Sequence, residues 1–168
     1  MIDILSVNFM KPEAVAQLKG SALVPGLIGI VKFYTLAGGT VVKVDVCGLP
    51  PGRPAAAGAQ PVGPFGFHIH EGSTCGLGDG SNPFASAGGH YNPTHQPHGF
   101  HAGDMPVLFS NGGCAYMIFY TDRFKVRDII GRTVIIHQNP DDFRTEPAGN
   151  SGARIACGVI EPSAARRV

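Results

Sequence analysis

The sequence predicts an all-β fold, an antiparallel sandwich or barrel of about eight short strands, on three observations. First, 24 glycines and 14 prolines in 168 residues, with only 15% charged side chains, describe many turns joining short elements. Second, several runs rich in β-branched and aromatic residues alternate with a period of two. Third, no stretch reads as a long helix with an apolar period of 3.6 residues. The length suits one domain, 1–168, which removes about two thirds of its unfolded surface on folding.

Taken in order, residues 14–37 break into two strand-like runs around Pro25 and Gly26, because proline and glycine end regular pairing. Gly38-Gly39 is a hairpin signal, and the strand after it sets Val42, Val44 and Val46 on one face. The segment 50–64, biased to Pro, Ala and Gly without periodicity, is expected as an exposed loop without chemistry. In PFGFHIHE the alternation puts Phe65, Phe67 and Ile69 on one face and Gly66, His68 and His70 on the other, polar face. Residues 72–103 carry no apolar periodicity, and a loop of that length needs something to order it. MPVLF, the Asn111-Gly112-Gly113 turn and CAYMIFY then predict a hairpin, RFKVRDIIGR a connection, TVIIH a strand, the segment 138–153 a second long loop and RIACGVI the last strand.

Six of the seven histidines fall between Gly66 and Asp104: His68, His70, His90, His95, His98 and His101, with His137 arriving at the end of a later apolar run. Neutral imidazole is the commonest transition-metal ligand, and a nearby carboxylate adds a hard oxygen donor. A site for two metals is the first expectation. Other classes are disfavoured: with 13 basic and 12 acidic side chains the net charge is +1, which makes no case for a nucleic acid or an anionic membrane. No apolar run approaches the roughly 18 residues of a spanning helix. The N-terminus lacks the pattern of a signal peptide, so a native Met1 predicts a cytoplasmic protein and a trimmed one a secreted or periplasmic protein. Of the four cysteines, Cys47 and Cys114 sit in apolar, β-like segments and are expected as buried thiols. Cys75 and Cys157, in loop or near-loop contexts, are the better candidates for a bridge.

GFHIHE, GGHYNP, HGFHAGDMP, IIGRTVIIH, the Asp141-Asp142 pair and GNSGARIACGVI occur in one order along the chain. In wording and order they resemble the copper/zinc superoxide dismutases, over about Ala14 to Ile160. The resemblance implies an eight-stranded Greek-key β-barrel with metals outside its wall under two long loops. It implies copper held by His68, His70, His90 and His137, and zinc held by His90, His98, His101 and Asp104, with His90 bridging both. Asp141 falls where the family has a carboxylate hydrogen-bonded to one histidine of each set, Arg154 where it has the arginine beside copper, and Cys75 would pair with Cys157. The implied reaction converts two superoxide anions to dioxygen and hydrogen peroxide by alternate reduction and reoxidation of copper, with catalytic roles for Arg154 and His90. A homodimer is implied as well. The chain departs from many members in a shorter His98-to-His101 interval, a shorter loop after His137 without an acidic pair followed by lysine, and the Pro/Ala-rich insert at 50–62. Arg144 is a candidate substitute for the missing lysine, and His95 matches no ligand position. A metal-binding scaffold without turnover is the rival reading, but no ligand position is lost here.

Overall fold

Alternating β-branched runs give a sheet, and the parity of each run decides what it buries. The structure, a computed structural model, describes residues 3–78 and 81–163; Met1, on which the expected compartment turns, lies outside them. Strands β1 (Ala14–Gly20), β2 (Ile28–Leu36), β3 (Gly39–Cys47), β4 (Phe67–His70), β5 (Cys114–Thr121), β6 (Thr133–His137) and β7 (Arg154–Pro162) form one sheet in the order β4-β6-β7-β1-β2-β3-β5. Every pairing is antiparallel. A single core cluster gathers Phe67 and Ile69 of β4, Val42 and Val44 of β3 and Ala115 of β5. Those strands lie at opposite ends of the order, so the sheet must curl on itself to bury them together. Fully buried side chains such as Phe33, Phe67 and Ile136 each contribute about 1.5–3 kcal/mol by leaving water.

Three local expectations change. MPVLF and CAYMIFY do not pair with each other: β5 pairs with β3, while Asp104 and Leu108 make isolated bridges to His68 and Phe65 on the β4 side. Pro106 has no N–H to give a ladder, which explains bridges in place of a continuous strand there. The connection 122–132 contains one helical turn, α1 (Val126–Ile129), too short to leave a periodic signal.

Cys47 and Cys114 are not buried thiols; they form a disulfide, as do Cys75 and Cys157. The same alternation that turns Val42, Val44 and Val46 inward turns Asp45 and Cys47 outward, and Ala115 inward leaves Cys114 outward beside its register partner Cys47. Parity along the strand, and not the apolar character of the neighbours, was the informative signal.

The insert at 50–62 is mostly exposed and closed by bridges between Arg53 and Val62 and between Ala56 and Ala59. An apolar groove of about 690 Å³ runs between it and Phe109, away from the histidines. Among the described residues no helix is long and apolar enough to cross a membrane.

Candidate metal centre

Strand β4 is the platform on which the site is built. Its pairing with β6 sets His68 opposite Ile135 and Phe67 opposite Ile136, which brings His137 to the end of β4, where its N–H donates to Gly66 O. Isolated bridges lay His90 against His70 and Asp104 against His68. Across the β6–β7 pair, His137 faces Arg154 at a register shift. The outer face of β4, expected to be polar, is as buried as the inner one, with His68 at 0% and His70 at 1% exposure. The loops 71–103 and 138–153 cover it.

Two groups of side chains bring their donor atoms within 4.8 Å of one another: His68, His70, His90 and His137, and then His90, His98, His101 and Asp104. His90 belongs to both. His95 belongs to neither and is exposed in its loop.

For four of the rings a second partner settles which nitrogen faces inward. His68 Nε2–H donates to Asp141 Oδ2 at 2.6 Å and His98 Nε2–H to Asp141 Oδ1 at 2.8 Å. His70 Nδ1–H donates to Gly88 O at 3.0 Å, and His137 Nδ1–H to Gly152 O at 3.2 Å. One carboxylate therefore orients a histidine of each group. With those protons committed, Nε2 of His70 and Nε2 of His137 confront each other as lone pairs 3.2 Å apart. His68 Nδ1, His90 Nε2, His98 Nδ1 and His101 Nδ1 are buried without a hydrogen-bond partner. Buried polar atoms left bare cost about 1–3 kcal/mol each, so so many of them converging calls for a cation.

The electrostatics agree. Burial and then the neighbouring imidazoles of His90 and His137 hold His68 well below its ordinary value, and burial followed by His137 and His90 does the same to His70. His137, chiefly through burial, is lowered to about 3. These rings are neutral, the ligating form. Burial opposes ionisation of Asp104, but the hydrogen bond with His90 and the electrostatic influence of the neighbouring imidazoles together outweigh it and leave the carboxyl below its usual value. Four imidazoles suit copper, and three imidazoles with one carboxylate suit zinc, so the donor sets fit that pair of metals.

A cavity of about 580 Å³ opens onto the first group, lined by His70, His90, His137 and Arg154, with Asn92 and Glu146 farther along its wall. Arg154 donates from Nη1 to Phe84 O and from Nη2 to Gly88 O, both at 2.6 Å, so its guanidinium is fixed beside His70. Arg144 is exposed and is not among the lining residues. Asp142 binds its own turn, accepting from the N–H groups of Arg144 and Thr145, from Thr145 Oγ1 and from Asn150 Nδ2, bonds that keep its carboxyl well below the usual range.

Sequence reasoning did not anticipate the carbonyls of Gly88 and Gly152, nor Glu146, whose Oε1 accepts the His98 N–H at 2.7 Å. Backbone acceptors leave no residue-type signal. Gly149 escaped notice too: it packs against Asp141 and His98 at a φ of +61°, and a Cβ there would collide with Asp141 Oδ1.

Comparison with known proteins agrees with this geometry. The chain is 36% identical over 140 residues to "Superoxide dismutase [Cu-Zn]" of Deinococcus radiodurans, covering 73% of this chain and 71% of that protein. It is 34% identical over 149 residues to "Superoxide dismutase [Cu-Zn] 2" of Aquifex aeolicus, covering 80% of this chain and 79% of the relative. The family model described as copper/zinc superoxide dismutase (SODC) matches residues 27–160, and the chain belongs to that family.

Proposed function

We propose that this chain, folded as a single domain, is a superoxide dismutase in which His68, His70, His90 and His137 hold copper and His90, His98, His101 and Asp104 hold zinc. The observation that carries the reading is the convergence of bare, buried imidazole nitrogens on two adjoining points that share His90. Copper, when bound, supplies the one-electron couple by which one superoxide is oxidised to dioxygen and another reduced to peroxide, and zinc, without redox chemistry, supplies charge and order. The rest falls to the chain's own groups. The guanidinium of Arg154, always charged, attracts the anion into the cavity and offers it hydrogen bonds. His90 turns Nε2 toward the first group while Nδ1 stays 2.8 Å from Asp104 Oδ1; Nε2 would hold either the metal or a proton, and a proton there would be available to peroxide only while the nitrogen is free of metal. Asp141 keeps His68 and His98 in the orientation that both sets need.

Metal analysis with activity tests this reading: one copper and one zinc per chain with rapid superoxide consumption are expected. A chain that takes up zinc yet stays inert after copper loading refutes it. With a net charge of +1, neither a nucleic acid nor a membrane is a partner on this reading. A homodimer would cover exposed apolar residues such as Phe109, and sedimentation at the mass of one chain would exclude it. Two disulfides favour an oxidising compartment, secreted or periplasmic, over the cytoplasm; cell fractionation decides.

A further inference from the structure

The turn from Gly99 to Asp104 is held from two sides. From within, Asp104 Oδ2 accepts the N–H groups of Gly99 at 2.8 Å and His101 at 3.0 Å, which leaves Oδ1 turned to His90. From without, one nitrogen of Arg123, Nη1, lies 3.2 Å from Gly99 O, 3.3 Å from His101 O and 3.4 Å from Asp104 O. Arg123 follows β5, far along the chain from the turn, and its own N–H is tied to Thr121 Oγ1. Its guanidinium therefore reaches the backbone of two residues of the second metal group and of the glycine between His98 and His101. An arginine exposed at the surface, as this one is, normally has no fixed place. Three carbonyls converging on one nitrogen give this one a place.

We propose that Arg123 is a positioning residue for the zinc site: by gathering the carbonyls of Gly99, His101 and Asp104 it holds the turn in the shape that points His101 Nδ1 and Asp104 Oδ1 at one ion. The proposal rests on the zinc assignment made above for His90, His98, His101 and Asp104. The positive charge of Arg123 by itself opposes a second cation nearby, so any gain in zinc affinity comes from geometry. That separates two substitutions. Arg123→Gln removes both charge and fork, while Arg123→Lys keeps the charge but replaces a planar, multi-donor group by a single mobile ammonium.

The test is zinc affinity of the full chain with both disulfides intact, read by competition with a chromophoric chelator. The visible spectrum of cobalt(II) placed in the same site serves as a second readout. Groups that orient ligands from outside typically change metal affinity 10–100-fold, and an arginine acting through the backbone belongs at the lower end of that range. The expected result is about 10-fold weaker zinc for Arg123→Gln, an intermediate loss for Arg123→Lys and an altered cobalt spectrum in both. Unchanged affinity and spectrum in both variants overturn the proposal, and so does an Arg123→Lys chain indistinguishable from wild type beside a weakened Arg123→Gln chain, which would show that any donor at this position suffices and that the guanidinium does not set the shape of the turn. If the unsubstituted chain itself binds no zinc, the assignment of the zinc set fails first, and that control separates the two failures.

Discussion

At the scale of single residues the site depends on what lies behind the ligands as much as on the ligands. Asp141 is the sharpest case, since its two oxygens divide between His68 and His98 and so couple the two metal groups. Asparagine in its place keeps one acceptor but turns an NH2 toward the other imidazole, whose N–H then has nothing to bond. Asp141→Asn is expected to weaken both metals by about 10–100-fold in chelator competition, and loss confined to one metal would contradict the shared role. Arg154 makes the opposite kind of contribution, because it touches the cavity and carbonyls but no metal-facing nitrogen. Arg154→Gln should leave metal content intact while lowering the second-order rate with superoxide about 10-fold at low salt, less as salt rises. Equal rates at low salt would remove Arg154 from the mechanism. The histidines and the carboxylate at 104 stood out in the sequence by residue type and spacing, whereas Asp141 was singled out only by the family resemblance. Gly88 and Gly152 did not stand out, since they act through carbonyl groups that every residue possesses.

At the scale of elements, the two disulfides close different parts of the chain. Cys47–Cys114 spans a sequence separation of 67 and encloses the whole segment that carries six of the histidines, yet it joins two strands already in register. Cys75–Cys157 ties the long loop after β4 to β7, and that loop supplies Phe84 O and Gly88 O to Arg154 and Gly88 O to His70. Chain entropy assigns each bond about 4 kcal/mol, so stability alone does not distinguish them. Metal retention does. Replacing Cys47 and Cys114 by serine is expected to lower Tm with copper and zinc content unchanged, whereas Cys75→Ser lowers Tm and releases metal under mild chelation. Identical metal retention in the two variants would refute the division. The segment 105–109 shows where reading by element runs out: its apolar letters suit a strand, but Pro106 breaks the ladder, and only the curl of the sheet decides that it meets the β4 side and not β5.

At the scale of the whole molecule, the curled sheet was legible because alternation and turn residues report it locally, while its closure depends on contacts between Phe65 and Leu108 that are 43 positions apart (108 less 65) and leave no local trace. The fold buries several imidazoles together in the wall of that sheet, which makes the metal-free protein sensitive to acid. His137, lowered from 6.5 to about 3, is neutral in the folded chain where an unfolded chain would already be protonated, and His68 and His70 are displaced in the same direction. For a folded value below the unfolded one, the unfolded state binds more protons between the two, so stability falls as pH drops below 6.5 and continues to fall toward about 3, where folded His137 takes up its proton too. His68 and His70 add to the loss in the same direction. Metals on the same nitrogens compete with protons and should move the loss to lower pH. Thermal melts at pH 7, 6 and 5 of chelator-treated and metal-loaded protein are the check: Tm of the metal-free chain should drop steadily across the series while that of the loaded chain holds. A metal-free Tm that stays level from pH 7 to pH 5 would mean that the histidines are not buried together when the metals are absent.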